Sequence, residues 1–188
     1  MRQSRNFFDR VSSLDIRYRP RLGLLLLPLL VIVSQVSAST IAVLEFELND
    51  LTLNPNLLAE TKRTMTLRPL LVGRLTENHD ISVIENPASA RIEAEKGRGY
   101  LFDRPAVAAK IGREEGVDWI VSGRLHKASF LFVYLKAQLI NTKTDRVAAD
   151  FVVEIKGPQQ KLTRKGVETL ARQIFAVTWE TVQNFVST

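Results

Sequence analysis

The stretch VDWIVSGRLHKASFLFVYLKAQLINTKTDRVAADFVVEIK, residues 117–156, alternates apolar and polar side chains almost without interruption. Its odd positions carry Val117, Trp119, Val121 and Leu125, then Leu131, Val133, Leu135, Ala137 and Leu139, then Val147, Ala149, Phe151, Val153 and Ile155. A two-residue period sends successive side chains to opposite sides of a strand, so these apolar residues share one buried side. NTKTD, residues 141–145, has the composition of a turn joining the last two strands. The stretch predicts a three-stranded antiparallel meander with one face on a core.

The even positions then share the other face. They are Asp118, Ser122, Arg124 and His126, followed by Phe130, Phe132, Tyr134, Lys136, Gln138, Asp150, Glu154 and Lys156. His126 therefore reads as a half-exposed strand residue, because a solvated polar face is the ordinary companion of a buried one in an antiparallel sheet. The trio Phe130, Phe132 and Tyr134 suits a solvated face poorly. Either it contacts a partner, or it lies beneath the long loop of residues 86–104.

Upstream, IAVLEFEL (41–48) is apolar at both parities until Glu45 and Glu47, as expected of a strand enclosed within the sheet. Residues 57–77 are helix-like, with Leu58, Met65, Leu71 and Leu75 available for a buried face and Pro69 expected to kink or split the span. ISVIE (81–85) is a second short strand. One helix is expected between Pro87 and Gly97, and another from a cap at Asp103 to Gly116. Downstream, Val167, Leu170, Ala171, Ile174, Thr178, Val182 and Phe185 form a stripe on a helix spanning 163–185. The predicted architecture is an α/β two-layer sandwich: a mixed sheet of about five strands with helices packed on one face.

A pI near 9.8 and a net charge of +6 suggest a nucleic-acid or membrane-surface binder until the charge is located. Residues 1–21 hold six arginines against Asp9 and Asp15, and lead into the uncharged run LGLLLLPLLVIV, 22–33. That run is shorter than the ~20 residues a spanning helix needs, and matches a secretory core. Val36 and Ala38 supply small side chains for cleavage after Ala38. Retention as an amino-terminal anchor is the alternative. Cleavage removes six of 26 basic and two of 20 acidic residues, leaving 20 and 18, so the net charge falls to +2. The expected organisation is a signal peptide at 1–38 and a single domain at 39–188, with no nucleic-acid partner and no membrane span once the leader is cut. With no cysteine, a disulfide, a thiolate metal site and a lipid-modified cysteine are all excluded.

Residues IAVLEFEL, the helix ending IGREEGVDWIVSGRLHK, the strand YLKAQLINTKTDRV and the terminal amphipathic helix resemble the TolB amino-terminal domain and the related CsgG-like periplasmic folds. The corresponding positions are Gly116, Val117, Asp118, Trp119 and Gly123, then Asn141, Thr142, Thr144 and Asp145. KGRGYLFDRPAVAAKIGREEGVDWIVSGRLHKASFLF more closely resembles a family of exported proteobacterial proteins known only as a domain of unknown function. The resemblance implies a five-stranded mixed sheet with helices on one side and a periplasmic role in envelope assemblies through protein contacts. It implies no enzymatic site.

The residues themselves carry no catalytic pattern. There is no G-x-S-x-G, and His79 and His126 show no metal-ligand spacing. Glu93 with Glu95 and Glu114 with Glu115 are neighbours that point apart on helices. GRG at 97–99 reads as a tight loop, or as an anion nest with Arg98 and Arg104 beside it. The expected protein is thus a periplasmic, non-enzymatic binding or assembly module without cofactor or metal, its partner an envelope protein. Its contact surface is expected to combine Arg98, Tyr100, Phe102 and Arg104 of the loop with Phe130, Phe132, Tyr134 and His126 of the strands. The alternative is a small-anion sensor or carrier with the same loop as a lid.

Overall fold

A computed structural model of the chain describes residues 38–53, 57–84, 87–97, 99–156 and 160–186. The expected leader, up to residue 37, and Arg98 lie outside the described residues. In chain order the elements are β1 (Ser39–Val43), β2 (Glu47–Asp50), α1 (Leu57–Met65), α2 (Leu67–Thr76), β3 (Ile81–Ile84), α3 (Ala88–Ala94), α4 (Pro105–Glu114), β4 (Trp119–Lys127), β5 (Phe132–Asn141), β6 (Arg146–Lys156) and α5 (Gln160–Val186). They form an α/β domain around a six-stranded mixed sheet of order β3-β1-β4-β5-β6, with β2 pairing β4 beyond the end of β1. The meander β4–β5–β6 is antiparallel as expected, and β1, β2 and β3 join it in parallel.

The interior strand 41–48 is broken in two. Residues 44–46 leave the ladder between β1 and β2, and Leu44 N keeps one bond to Val121 O at 2.9 Å. The detour lays the Phe46 ring flat on Gly123 of β4, where a β-carbon would overlap ring atoms. Only glycine leaves that space. Pro69 splits the first helical span, sitting in the opening turn of α2 where its missing amide costs nothing. Leu71 and Leu75 are buried as expected, but Leu58 and Met65 are exposed, because α1 turns its charged residues Glu60 and Arg63 inward instead.

Odd-numbered side chains of the meander face the larger core, where Trp119, Val121, Leu135, Leu139 and Phe151 meet Leu71 of α2 and Val167, Leu170 and Ile174 of α5. The side chains of Val182 and Phe185 lie outside the described residues. The even face is not purely polar. Ala42, Leu44, Ile120 and Ile140 build a second core with Ala90 of α3, Ala108, Ala109 and Ile111 of α4, and Leu101. Helices therefore cover both faces at the end of the sheet near residues 119 and 141, correcting the placement of all helices on one side. Two apolar even residues, Ile120 and Ile140, are the reason.

Two odd residues depart from parity. A bulge pairs Leu139 with Ala149 but Ile140 with Val147, so one extra residue turns Val147 toward the second core. Leu131 lies in the β4–β5 turn and is exposed. Asp118 closes the lower end: its Oδ2 accepts the Thr40 hydroxyl at 2.8 Å and the Thr40 amide at 3.2 Å. The 141–145 turn is held by the Asn141 carboxamide, whose Oδ1 accepts Lys143 N at 2.9 Å and Thr144 N at 3.0 Å.

Candidate partner-binding surface

Among the described residues, the half of the even face nearest the β4–β5 turn has no helix of the second core on it. Register places His126 opposite Tyr134 and Arg124 opposite Lys136, with Phe132 facing Lys156 and Tyr134 facing Glu154 on β6. From β2, Asn49 stands beside His126 and Glu47 beside Arg124. Phe132 and Val152 are 48% and 60% exposed, so the surface shows apolar area among polar neighbours.

His126 is half-buried as expected, with its ring 6.3 Å from that of Tyr134. Burial, then the nearby positive charges of Lys136 and Arg124, lower its pKa and keep the ring neutral. Its Nδ1 lies 3.1 Å from Asn49 Nδ2, so the neutral ring accepts there from the Asn49 amide and carries its proton on Nε2. No second histidine, cysteine or carboxylate group assembles a metal site among the described residues.

Loop residues 99–104 do not form a free lid. Leu101 is buried in the second core, and the Phe102 ring lies 4.4 Å from the Arg124 guanidinium carbon. Arg124 Nη2 donates to Asp103 Oδ2 at 3.1 Å, Glu47 Oε2 at 3.3 Å and Gly99 O at 3.5 Å. Gly99, at φ +81°, leaves room for that guanidinium, because a β-carbon would fall onto it and within 2.6 Å of Asp103 Oδ2. Asp103 thus holds Arg124 rather than capping α4; Arg104 takes the cap position, without a side-chain bond. Burial pushes the Glu47 carboxyl above its usual range, against the opposing pull of Arg124. Tyr100 is flanked by Arg104 at 4.4 Å and Lys96 at 5.6 Å, and Lys96 is itself paired with Glu93 at 2.6 Å.

The sequence-expected residues therefore divide. Phe102, held on Arg124, borders the open half-face of His126, Phe132 and Tyr134; Tyr100 and Arg104 sit on the side of α3 and α4; Phe130 reaches the turn. The aromatic strand residues are not buried beneath the loop.

A further group was not foreseen. Lys127 is buried, its Nζ 3.2 Å from both Asp50 Oδ2 and Glu60 Oε1, while Arg63 Nη1 approaches Glu60 Oε2 at 3.5 Å and Arg63 Nε donates to Thr163 Oγ1 at 2.9 Å. Its signal was its odd number: parity sends 127 inward. Desolvation raises the Asp50 carboxyl, but the Thr52 hydroxyl and amide and the Lys127 ammonium outweigh it and hold Asp50 below its usual range.

The architecture defines a mixed α/β domain of six strands with no helix long and apolar enough to cross a membrane among the described residues. The family named DUF3280, described as "Protein of unknown function (DUF2380)", matches residues 39–175, and the chain belongs to that family. The expected membership of a family of unknown function is met. Among curated proteins none matches the chain. Similar solved structures include TolB from Acinetobacter baumannii, at 12% identity and TM-score 0.46, covering 76% of this chain and 28% of that one. Lipoprotein GNA1162 from Neisseria meningitidis is similar at 16% identity and TM-score 0.45, covering 72% of this chain and 96% of that one. The LpoB C-terminal domain from Escherichia coli is similar at 14% identity and TM-score 0.41, covering 64% and 84%. The chain thus spans 28% of the TolB length.

Proposed function

We propose that the protein is a non-enzymatic binding or assembly module of the bacterial envelope, exported by a leader ending at Ala38 and acting through protein contacts. The contact surface is the open half of the even sheet face: Phe132, Tyr134, His126 and Val152, bordered by Phe102. The observation that carries this reading is the exposure of Phe132 and Val152 on a sheet face whose other half is covered by α3 and α4. Apolar area left bare beside a covered face marks a place for a partner. The charge and hydropathy of residues 1–38 support the leader and, with it, the envelope location.

The test is affinity capture from envelope extract with protein recovered from the periplasmic fraction, which is expected to begin at Ser39. Replacing Tyr134→Ala together with Val152→Ser is expected to abolish recovery of the partner while the melting temperature stays within a few degrees. Unchanged recovery overturns the reading.

A further inference from the structure

Among the described residues, large apolar side chains stand out further at the pole where β4 turns into β5 and β2 ends than on the strand face. Leu131 and Phe130 in the turn are 73% and 63% exposed; Leu51 and Leu53, which continue β2, are 61% and 103% exposed. The two segments are tied together, because Leu51 N donates to Lys127 O at 3.0 Å. Large side chains standing this far out of the surface make a projection rather than a groove.

Much of the backbone beneath them is paired internally. Ala128 N and Ser129 N donate to Phe132 O at 3.0 and 3.3 Å, while Leu131 N and Phe132 N donate to Ser129 Oγ at 3.2 and 3.1 Å. On the β2 side, Thr52 N and its hydroxyl donate to Asp50 Oδ1 at 3.0 and 2.7 Å. Carrying a turn out of water is costly mainly for unpaired amides, and here those of Leu51, Thr52, Ala128, Ser129, Leu131 and Phe132 have internal acceptors.

Charge at this pole is sorted by sign. The carboxylates of Asp50 and Glu60 are enclosed and neutralised by Lys127 and Arg63. Lys156, which pairs with Phe132, is exposed, and so are Lys161, Arg164 and Lys165 in the first turns of α5. The start of α5 is fixed at the same pole by the Arg63–Thr163 bond and by the close approach of Gly166 to Ile155. Glu154 lies two residues further back along β6, and Glu168 is held by Arg74 at 2.6 Å.

We propose that this pole docks on the surface of an anionic phospholipid bilayer, Phe130, Leu131, Leu51 and Leu53 entering the headgroup boundary and the α5 bases meeting the lipid phosphates. A bilayer accepts projecting apolar side chains without a matching cavity, and rewards a basic rim around them. The surface goes beyond the protein-binding face above and uses different residues.

The full chain contains no cysteine, so single introduced cysteines can be labelled uniquely. An environment-sensitive dye on Leu131→Cys is expected to shift to the blue with vesicles of phosphatidylcholine and one-third phosphatidylglycerol, and not with phosphatidylcholine alone. The same dye on Thr144→Cys, in the turn at the opposite end of the meander, is expected not to shift. Phe130→Ser with Leu131→Ser is expected to weaken vesicle binding about tenfold or more, and Lys161→Glu with Lys165→Glu by at least about fivefold for each base. Equal shifts at both dye positions, a shift at neither, or tip variants that bind like the parent would overturn the proposal. So would tip-dependent capture of a protein with no tip-dependent binding to vesicles.

Discussion

Lys127 holds its ammonium between two carboxylates below the surface, and Arg63 completes the group from the other side of Glu60. Removing one partner of such a group leaves the remaining charges buried without compensation. Lys127→Ala is expected to lower the unfolding free energy by about 3–5 kcal/mol, read from urea denaturation. Lys127→Met with Asp50→Asn, which leaves the Glu60–Arg63 pair in place, should recover most of that loss. The inward position of residue 127 was legible from its odd number, and the half-exposure of His126 from its even one. The partners were not, because Asp50 and Glu60 come from a different strand and a helix, and no local pattern joins residues so distant along the chain. Arg124 was legible as a face residue in the same limited way. That it would organise Phe102, Asp103 and Gly99 depends on a loop whose path the periodicity does not describe.

Among the elements, β4 bears the most constraints. It pairs with β1, β2 and β5, and its Gly123 accepts the Phe46 ring at the gap between β1 and β2. Gly123→Ala is expected to cost about 1–3 kcal/mol by overpacking, since ring atoms occupy the site of the new methyl group. Thermal melting of that variant beside Phe46→Leu/Gly123→Ala separates the clash from the substitution itself: the smaller partner should restore part of the loss. The meander, the broken helix at Pro69 and the stripe on α5 were all readable, because each rests on a repeat of two or on a residue with one conformational preference. Helices on the second face were harder to read, although Ile120 and Ile140 interrupt the polar parity. The bulge at Val147 had no signal, since one extra residue leaves composition unchanged.

At the scale of the whole molecule, the charged groups set how the domain responds to acid. Burial raises Asp50 and Asp118, but hydrogen bonds from Thr52 and Thr40 and the lysines 127 and 143 bring both below the ordinary aspartate value of 3.8. Their contribution is complete above that value and is lost as pH falls through the lowered ones. His126, also lowered, contributes above 6.5 and loses its share on the way down; Glu47, raised from 4.5, does the opposite and favours folding as it takes up a proton. Urea midpoints are therefore expected to decline gently below pH 6.5, level off near the Glu47 range and fall steeply below 3.8. Asp118→Asn should flatten the last step.

The order of strands in the sheet carries a further meaning for how the chain assembles. Ribosomes release β1 early, yet it belongs in the middle, and its bonds to Asp118 await residues 78 positions later. The nascent polypeptide can pair β1 with β3 first, but the other edge of β1 waits for β4, whose arrival joins the parallel strands to the local β4–β5–β6 ribbons. A delay of that kind leaves one flank of the early ribbon open until its central neighbour emerges.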